Sequence, residues 1–496
     1  MLPALALLLV SGFTRHDAQL PDTLAGRRMA DLIATFNTKD YSKIEAMVVR
    51  NFAQTAFIST TKEDWVSGIL ESSKNLAPIA PDKILKSSEQ SLVVKLKANT
   101  DLPVAIRIDL EDEQPFGILS ARIGSPEDLN TSKLPRRFAN WKELHDLAED
   151  VRSTYKLPGL IVGYQNVGAK TKVSAAGLRN TQAQGLLLQS EDRMLVGSIG
   201  QTMTATLIAR LVDLNKLSWD MTLGSVLPEV PMLDDYKKVT LEQLLSHQSG
   251  IPQEASVSLA DVERLVSKIE TPSKARMAYV KDVLTRAPNL VGVLSKRQAN
   301  TDYVIAGVIA EKLIRQPYEH LMERYVFQPM KLTSMMIAPV GSQDQVGGDG
   351  QVIGHLLGDF GYTPFELRSE KSDWIMAPSG AGISSSLSDL IHFAGFHLRG
   401  ISGDADILTA ASYKKIHTAI DGSTEKLAGG WVIDASLEGQ PCQWSAGTDG
   451  SFCAEITMWP KSGLIIAAAM NAGAARQPTP VRQAILAIRD HLTSAK

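Results

Sequence analysis

The sequence predicts a two-domain protein of mixed helix and sheet: a small α+β domain followed by a larger α/β (α+β) domain. Three observations lead there. First, 496 residues are too many for one simple domain, and a hydrophobic content of 44% is ample for packed cores. Second, between residues 24 and 123 the helix-like segments come first and the strand-like runs after, which is an α+β order. Third, a short apolar run at residues 194–197 leads into an amphipathic segment at residues 202–214, which places Ser198 at a helix N-terminus.

In chain order, residues 2–10 form an apolar run that reads as the core of a signal peptide spanning residues 1–18, with Ala18-Gln19 as the cleavage point. The run is far shorter than the ~20 residues of a membrane span. A buried helix is the alternative, but the polar stretch directly after it favours export, and hence a periplasmic or secreted protein. The small domain, residues 24–123, opens with amphipathic helices at residues 24–36 and 42–52 and a third at residues 65–70. Strand-like runs follow at residues 83–88, 92–96, 105–110 and 116–123. Phe36-Asn37 with Asp40, and the closing run 118–123, are similar to the cystatin-like or NTF2-like domains found ahead of some secreted hydrolases. Residues 124–138 then read as a polar, proline-containing linker to the large domain at 139–496.

In the large domain, a serine at a helix start suits acyl transfer, because the backbone N–H groups and dipole there favour an oxyanion. Ser198 opens a Ser-x-x-x segment that resembles the first motif, Ser-x-x-Lys, of serine β-lactamases and penicillin-binding-protein-like hydrolases. The resemblance runs on through strands at residues 157–164 and 172–177, then segments 215–223, 239–252 and 380–390. Gly429-Gly430-Trp431 and a closing strand at residues 464–471 complete it. It implies an antiparallel five-stranded sheet flanked by helices, with a helical lobe beside it and Ser198 in the crevice.

Read onto the family's motifs, the lysine position holds Gln201, and a primary amide cannot accept the serine's proton. The second motif, Tyr-x-Asn in class C-type members, aligns with Gln298-Ala299-Asn300. The third, Lys- or His-x-Gly, aligns with Ser445-Ala446-Gly447, or with Trp444 if shifted by one. Ser198, Asn300 and the glycine are kept; every titratable group is replaced. The oxyanion hole, which the resemblance assigns to the amides of Ser198 and Thr448, is main chain and survives side-chain replacement.

Other residues compete for the missing proton transfer. Lys296 lies two positions before Gln298, on the same side of an extended chain, and could reach the pocket; the alternative is a solvated loop cation. His247 closes a helix in a pattern where the family uses histidine for packing and hydrogen bonds. Asp389 fits a helix N-terminal acid after the serine run 384–388. Cys442 and Cys453 bracket the third motif; if residues 445–451 form a turn they could be bridged, and two buried thiols are equally consistent.

With 51 basic and 54 acidic residues and no run of one sign, nothing points to nucleic acid. No nucleotide-binding fingerprint or metal-ligand spacing is present, so no cofactor and no metal are expected. The sequence therefore leads to a small-molecule, peptide or acyl ligand in the cleft of a very slow hydrolase or a ligand-binding pseudoenzyme. The alternative is an active acyl-serine hydrolase, esterase or peptidase, with an unrecognised base.

Overall fold

The computed structural model describes residues 19–52, 62–88, 91–100, 103–110, 117–126, 138, 141–182, 185–251, 268–287, 300–337, 352–358, 361–365, 373, 375–419, 427–437, 440–473 and 480–494. The chain divides into two compact units, Met1–Pro135 and Arg136–Lys496. The signal-peptide residues 1–18, and with them Gln298 and Lys296, lie outside the described residues.

In the first unit three helices, α1 (Leu24–Phe36), α2 (Tyr41–Asn51) and α3 (Lys62–Leu76), precede a meander of four antiparallel strands. These are β1 (Ala80–Ser87), β2 (Ser91–Lys97), β3 (Val104–Leu110) and β4 (Ile118–Gly124). Thr23 and Asp40 start the first two helices by accepting the amides of Gly26 and Lys43 through their side chains. Alternate residues Leu92, Val94, Leu96, Ile106 and Ile108 pack with Met29, Phe36, Ile44 and Met47 into one core, as the period of two in a half-covered sheet requires.

The second unit begins with α4 (Leu144–Thr154) and the strands β5 (Gly159–Asn166) and β6 (Lys172–Gly177). Next come β7 (Arg193–Leu195), a 3₁₀ turn over Gly197–Ile199, and α5 (Gly200–Asp213). The helical lobe includes α6 (Leu241–Leu245), α7 (Pro272–Val283) and α8 (Asn300–Ile314). Short strands β8 (Met336–Ile337), β9 (Gly354–Gly358), β10 (Gly361–Phe365) and β11 (Ile383–Ser386) lead to α9 (Leu387–Ile401) and α10 (Ala410–Ile416). The chain closes with β12 (Leu427–Ala428), β13 (Trp431–Leu437), β14 (Gln440–Thr448), β15 (Cys453–Trp459), β16 (Leu464–Met470) and α11 (Pro480–Ser494).

The main sheet has the order β12-β13-β14-β15-β16-β5-β6 with every pairing antiparallel. It has seven strands rather than the expected five. Within the added pair, Gly429 and Gly430, at φ of 53° and 78°, turn the chain back on itself so that Ala428 pairs with Trp431 and Leu427 with Val432, and β13 in turn pairs with β14. β15 and β16 are buried along their whole length, since helices cover both faces: α4 and α11 on one side, the α5 and α9 core on the other. Such strands read as continuous apolar runs.

α5 is not the amphipathic helix its sequence suggests, because it is buried nearly all round. Its threonines find partners in the helix's own backbone: Thr202 donates to the Ile199 carbonyl, and the Thr206 hydroxyl has the Thr202 carbonyl 2.8 Å away. Behind the turn that precedes it, β7 pairs with β11, which in turn pairs with β8. That small sheet anchors the segment carrying Ser198.

Candidate active site around Ser198

From Met194 to Ala209, Ser198 is the one residue that is not buried. It sits in the 3₁₀ turn just ahead of α5, with Gly197 before it at φ of 54°. Glycines let three backbones meet at this turn. A Cβ on Gly447 of β14 would lie 2.3 Å from the Ser198 nitrogen, and one on Gly197 would lie 2.5 Å from the Thr448 nitrogen. A Cβ on Gly380 would lie 1.9 Å from the Gly197 carbonyl oxygen. No side chain fits between the turn and β14, so the Ser198 backbone lies close against Gly447 and the Thr448 backbone close against Gly197.

Gln201, one helical turn after Ser198, is 1% exposed. Its Nε2 donates to Asn300 Oδ1 at 2.9 Å, so the first and second motif positions touch through two amides. Asn300 is the first residue of α8. Tyr303, one turn on, carries the next phenol along the chain. It donates to the Leu245 carbonyl at 3.0 Å, and burial pushes its pKa far above the usual phenol range, so it cannot serve as a base.

Ser445 is the residue that the sequence aligns with the third motif. Its side chain faces the same way as Gly447 and donates to the Gly430 carbonyl at 3.0 Å. Trp444 faces the opposite side of the sheet, where the Arg482 guanidinium lies 4.5 Å from its ring centroid. Strand alternation therefore makes Ser445, not Trp444, the residue on the Ser198 side. Thr448 ends β14 and donates from Oγ1 to the Phe452 carbonyl at 2.6 Å; Asp449 accepts the amides of Ser451 and Phe452 and holds the turn.

Two other sequence candidates are engaged with other residues. His247 is buried beside Tyr303, and desolvation pushes its pKa down to about 4, so it is neutral at neutral pH. Its Nδ1 lies 3.8 Å from Asp302 Oδ2. Asp389 belongs to the first turn of α9 and accepts the amide and hydroxyl of Ser334.

The turn between β14 and β15 is shorter than expected, and this separates the cysteines. In the ladder Thr448 stands opposite Cys453 and Gln443 opposite Met458, so Cys442 is six positions along from Cys453's partner, about 20 Å away at ~3.3 Å per residue. The bridge left open by the sequence is excluded, and both residues are buried thiols, with burial pushing Cys442 up to about 11 and Cys453 to about 12.

Sequence reasoning named Gly430 within the Gly429-Gly430-Trp431 run but gave it no place at the site. A Cβ there would meet the Thr202 nitrogen at 2.6 Å and the Gln201 Cβ at 3.0 Å, and its carbonyl receives Ser445. The adjacent glycine pair was the available signal. Among the described residues no three His, Cys, Asp or Glu side chains are gathered to hold a metal, and no helix is long and apolar enough to cross a membrane.

A profile of the family described as Beta-lactamase matches residues 144–489. Penicillin-binding protein 4 of Amycolatopsis lactamdurans is 25% identical over 356 residues, 69% of this chain and 87% of that protein. Among solved structures, the octameric penicillin-binding protein homologue from Pyrococcus abyssi superposes with a TM-score of 0.56 at 20% identity, covering 71% of this chain and 77% of that one. The D-amino acid amidase from Ochrobactrum anthropi SV3, complexed with L-phenylalanine, gives 0.55 at 16% identity, over 72% of this chain and all (100%) of the other.

Proposed function

We propose, from the premise that this chain belongs to the beta-lactamase family of serine hydrolase folds, that its cleft binds a carbonyl-containing ligand with very slow hydrolysis or none. The observation that carries this reading is the Gln201–Asn300 bond. In this fold the residue one turn after the serine faces it, and here that residue is a buried amide committed to a neighbouring amide. Gln201 offers hydrogen bonds but no proton acceptor of useful basicity.

The remaining parts suit recognition. A small-molecule, peptide or acyl carbonyl would place its oxygen between the amides of Ser198 and Thr448, with Asn300 orienting the ligand. Ser445, turned to the Gly430 carbonyl, supplies neither charge nor proton. Were Ser198 to attack, its Oγ would bond the carbonyl carbon while its proton had no described side chain to receive it. General-base help is commonly worth ~10² to 10⁴ in rate, and members of a concerted set are not additive.

The test is turnover of an activated ester by the wild type, Ser198→Ala, and a variant carrying Gln201→Lys, Gln298→Tyr and Ser445→Lys together. The reading expects wild-type turnover within roughly tenfold of Ser198→Ala, and a gain of ~10² in the triple variant. Fast wild-type turnover that Ser198→Ala abolishes would overturn it. The same reading places the protein outside the cytoplasm. Amino-terminal sequencing of the exported protein is then expected to begin at Gln19.

A further inference from the structure

Between α5 and β14, four side chains form one hydrogen-bonded row. Gln443 Oε1 of β14 lies 2.6 Å from His417 Nδ1, just past α10. His417 Nε2 lies 2.8 Å from His397 Nδ1 of α9, and His397 Nε2 lies 3.1 Å from Thr206 Oγ1 of α5. Both imidazoles are buried. Aromatic rings enclose them: Trp431 at 5.4 and 5.5 Å, Phe393 at 4.5 Å and Tyr413 at 5.8 Å between centroids.

The row connects the two halves of the candidate site. Gln443 shares the inward face of β14 with Ser445 and Gly447, while Thr206 stands on the helix that Ser198 precedes. With Gln443 presenting its oxygen and the Thr206 hydroxyl turned from the Thr202 carbonyl to His397, each neutral ring donates once and accepts once: Thr206 to His397, His397 to His417, His417 to Gln443. All positions are filled with no net charge.

An added proton disturbs this balance. Its hydrogen bonds can still be made, because His397 can reverse and donate to Thr206, which then donates to the Thr202 carbonyl at 2.8 Å. The charge itself has no counter-ion among the described side chains. Arg210 of α5 donates to the Ile407 carbonyl, and Asp213 at the end of α5 accepts from Thr409 and Ser412. On α9, Arg399 pairs with Asp404 and Asp406, Asp389 holds Ser334, and His392 lies edge-on to Phe396. On α10, Lys415 pairs with Glu242 and Lys414 is exposed. A cation in an apolar box without a partner is strongly disfavoured, and opening toward water at the half-buried Gln443 end relieves it.

We propose that the His397–His417 pair is an acid-sensitive tie between the nucleophile helix and the third-motif strand, holding β14 in place when neutral and loosening it when a proton is taken up. The inference rests on the placement of the cleft, not on whether the cleft hydrolyses anything. Burial already holds His417 to about 4 and His397 below its ordinary range, whereas an opened pair would titrate near 6.5. Loosening is therefore expected between these limits.

The experiment is amide hydrogen exchange of the full chain from pH 7 to 4.5, corrected for intrinsic rates, with ring titrations of the histidines by NMR. In the wild type, protection of the β14 amides from Gln443 to Thr448 should fall at least tenfold while the β5–β16 pairing keeps its own. His417→Gln, which bonds without titrating, should abolish the fall, and His397→Gln serves if that variant does not fold. Protection of β14 that does not change with pH would overturn the proposal. So would an equal fall in the variants, or imidazoles that titrate at ordinary values while β14 stays protected. No ligand enters the measurement, so its failure is separate from failure of the functional reading.

Discussion

Replacing Gly447 by alanine tests the contact on which the site geometry depends. The new methyl would lie 2.3 Å from the Ser198 nitrogen, 2.3 Å from the Val196 oxygen and 2.6 Å from the Gly197 carbonyl carbon. Each falls roughly 1 Å short of the 3.4 Å at which ordinary contact begins. All three neighbours are backbone, so no side-chain rotation relieves the clash. Strand and turn must part, at a cost of about 1–3 kcal/mol typical of overpacking, or more. A displacement of ~1 Å also misplaces the amides of Ser198 and Thr448, enough to remove most of their effect on a bound oxygen. Thermal unfolding of Gly447→Ala should therefore show a lower Tm, by several degrees. Amide exchange should rise at Val196–Ile199 and at Thr448 specifically. Gly68→Ala, a helical site whose Cβ meets nothing within 4 Å, is the control and should be neutral or stabilising by about 0.5–1 kcal/mol. A Gly447→Ala protein with wild-type Tm and unchanged exchange at those amides would refute the close packing described.

Three further outcomes follow from particular groups. His247 and His417 are each held to about 4 by burial, against 6.5 in an unfolded chain, so between those values the unfolded state binds more protons. Their contribution is fully present above pH ~6.5 and is lost as pH falls toward 4, with a slope of up to about 1.4 kcal/mol per pH unit for each. Urea midpoints from pH 7.5 to 5 should fall accordingly, and a flat profile would contradict it. Arg276, fully buried between Glu311 and Glu319, should destabilise the helical lobe by about 3–5 kcal/mol when changed to methionine, since Glu311 is then left buried without its cation; urea unfolding measures it. Thiol titration without reductant should find two free groups in denaturant and almost none in the native protein, whereas a bridge would give none in either.

What the sequence made legible was largely local. The helices at 24–36 and 41–51 announce themselves by period and by the caps Thr23 and Asp40, and the four strands after them by alternation. β16 was legible because a strand covered on both faces reads as an apolar run. α5 misled because threonine looks polar in sequence, yet in a helix it can bond its own backbone and be buried. The turn after β14 misled for a similar reason: the short polar side chains of Thr448 and Asp449 close it within a few residues, so the strand runs to Thr448 and the cysteines separate. Ser198, Gln201, Asn300 and Ser445 were singled out from their order along the chain, and the fold puts Gln201 against Asn300 and Ser445 against Gly430. Gly430 and the His397–His417–Gln443 row were not singled out, since they join residues from elements whose contact only the folded chain creates.

The most direct test of the central claim is intact-mass analysis after exposure to a fluorophosphonate, with Ser198→Ala beside the wild type. On the proposed reading Ser198 has no base to activate it, Gln201 being bonded to Asn300, and should give no stoichiometric adduct under conditions that saturate an active serine hydrolase. A rapid one-to-one adduct on the wild type, absent from Ser198→Ala, would show an activated nucleophile and contradict the account.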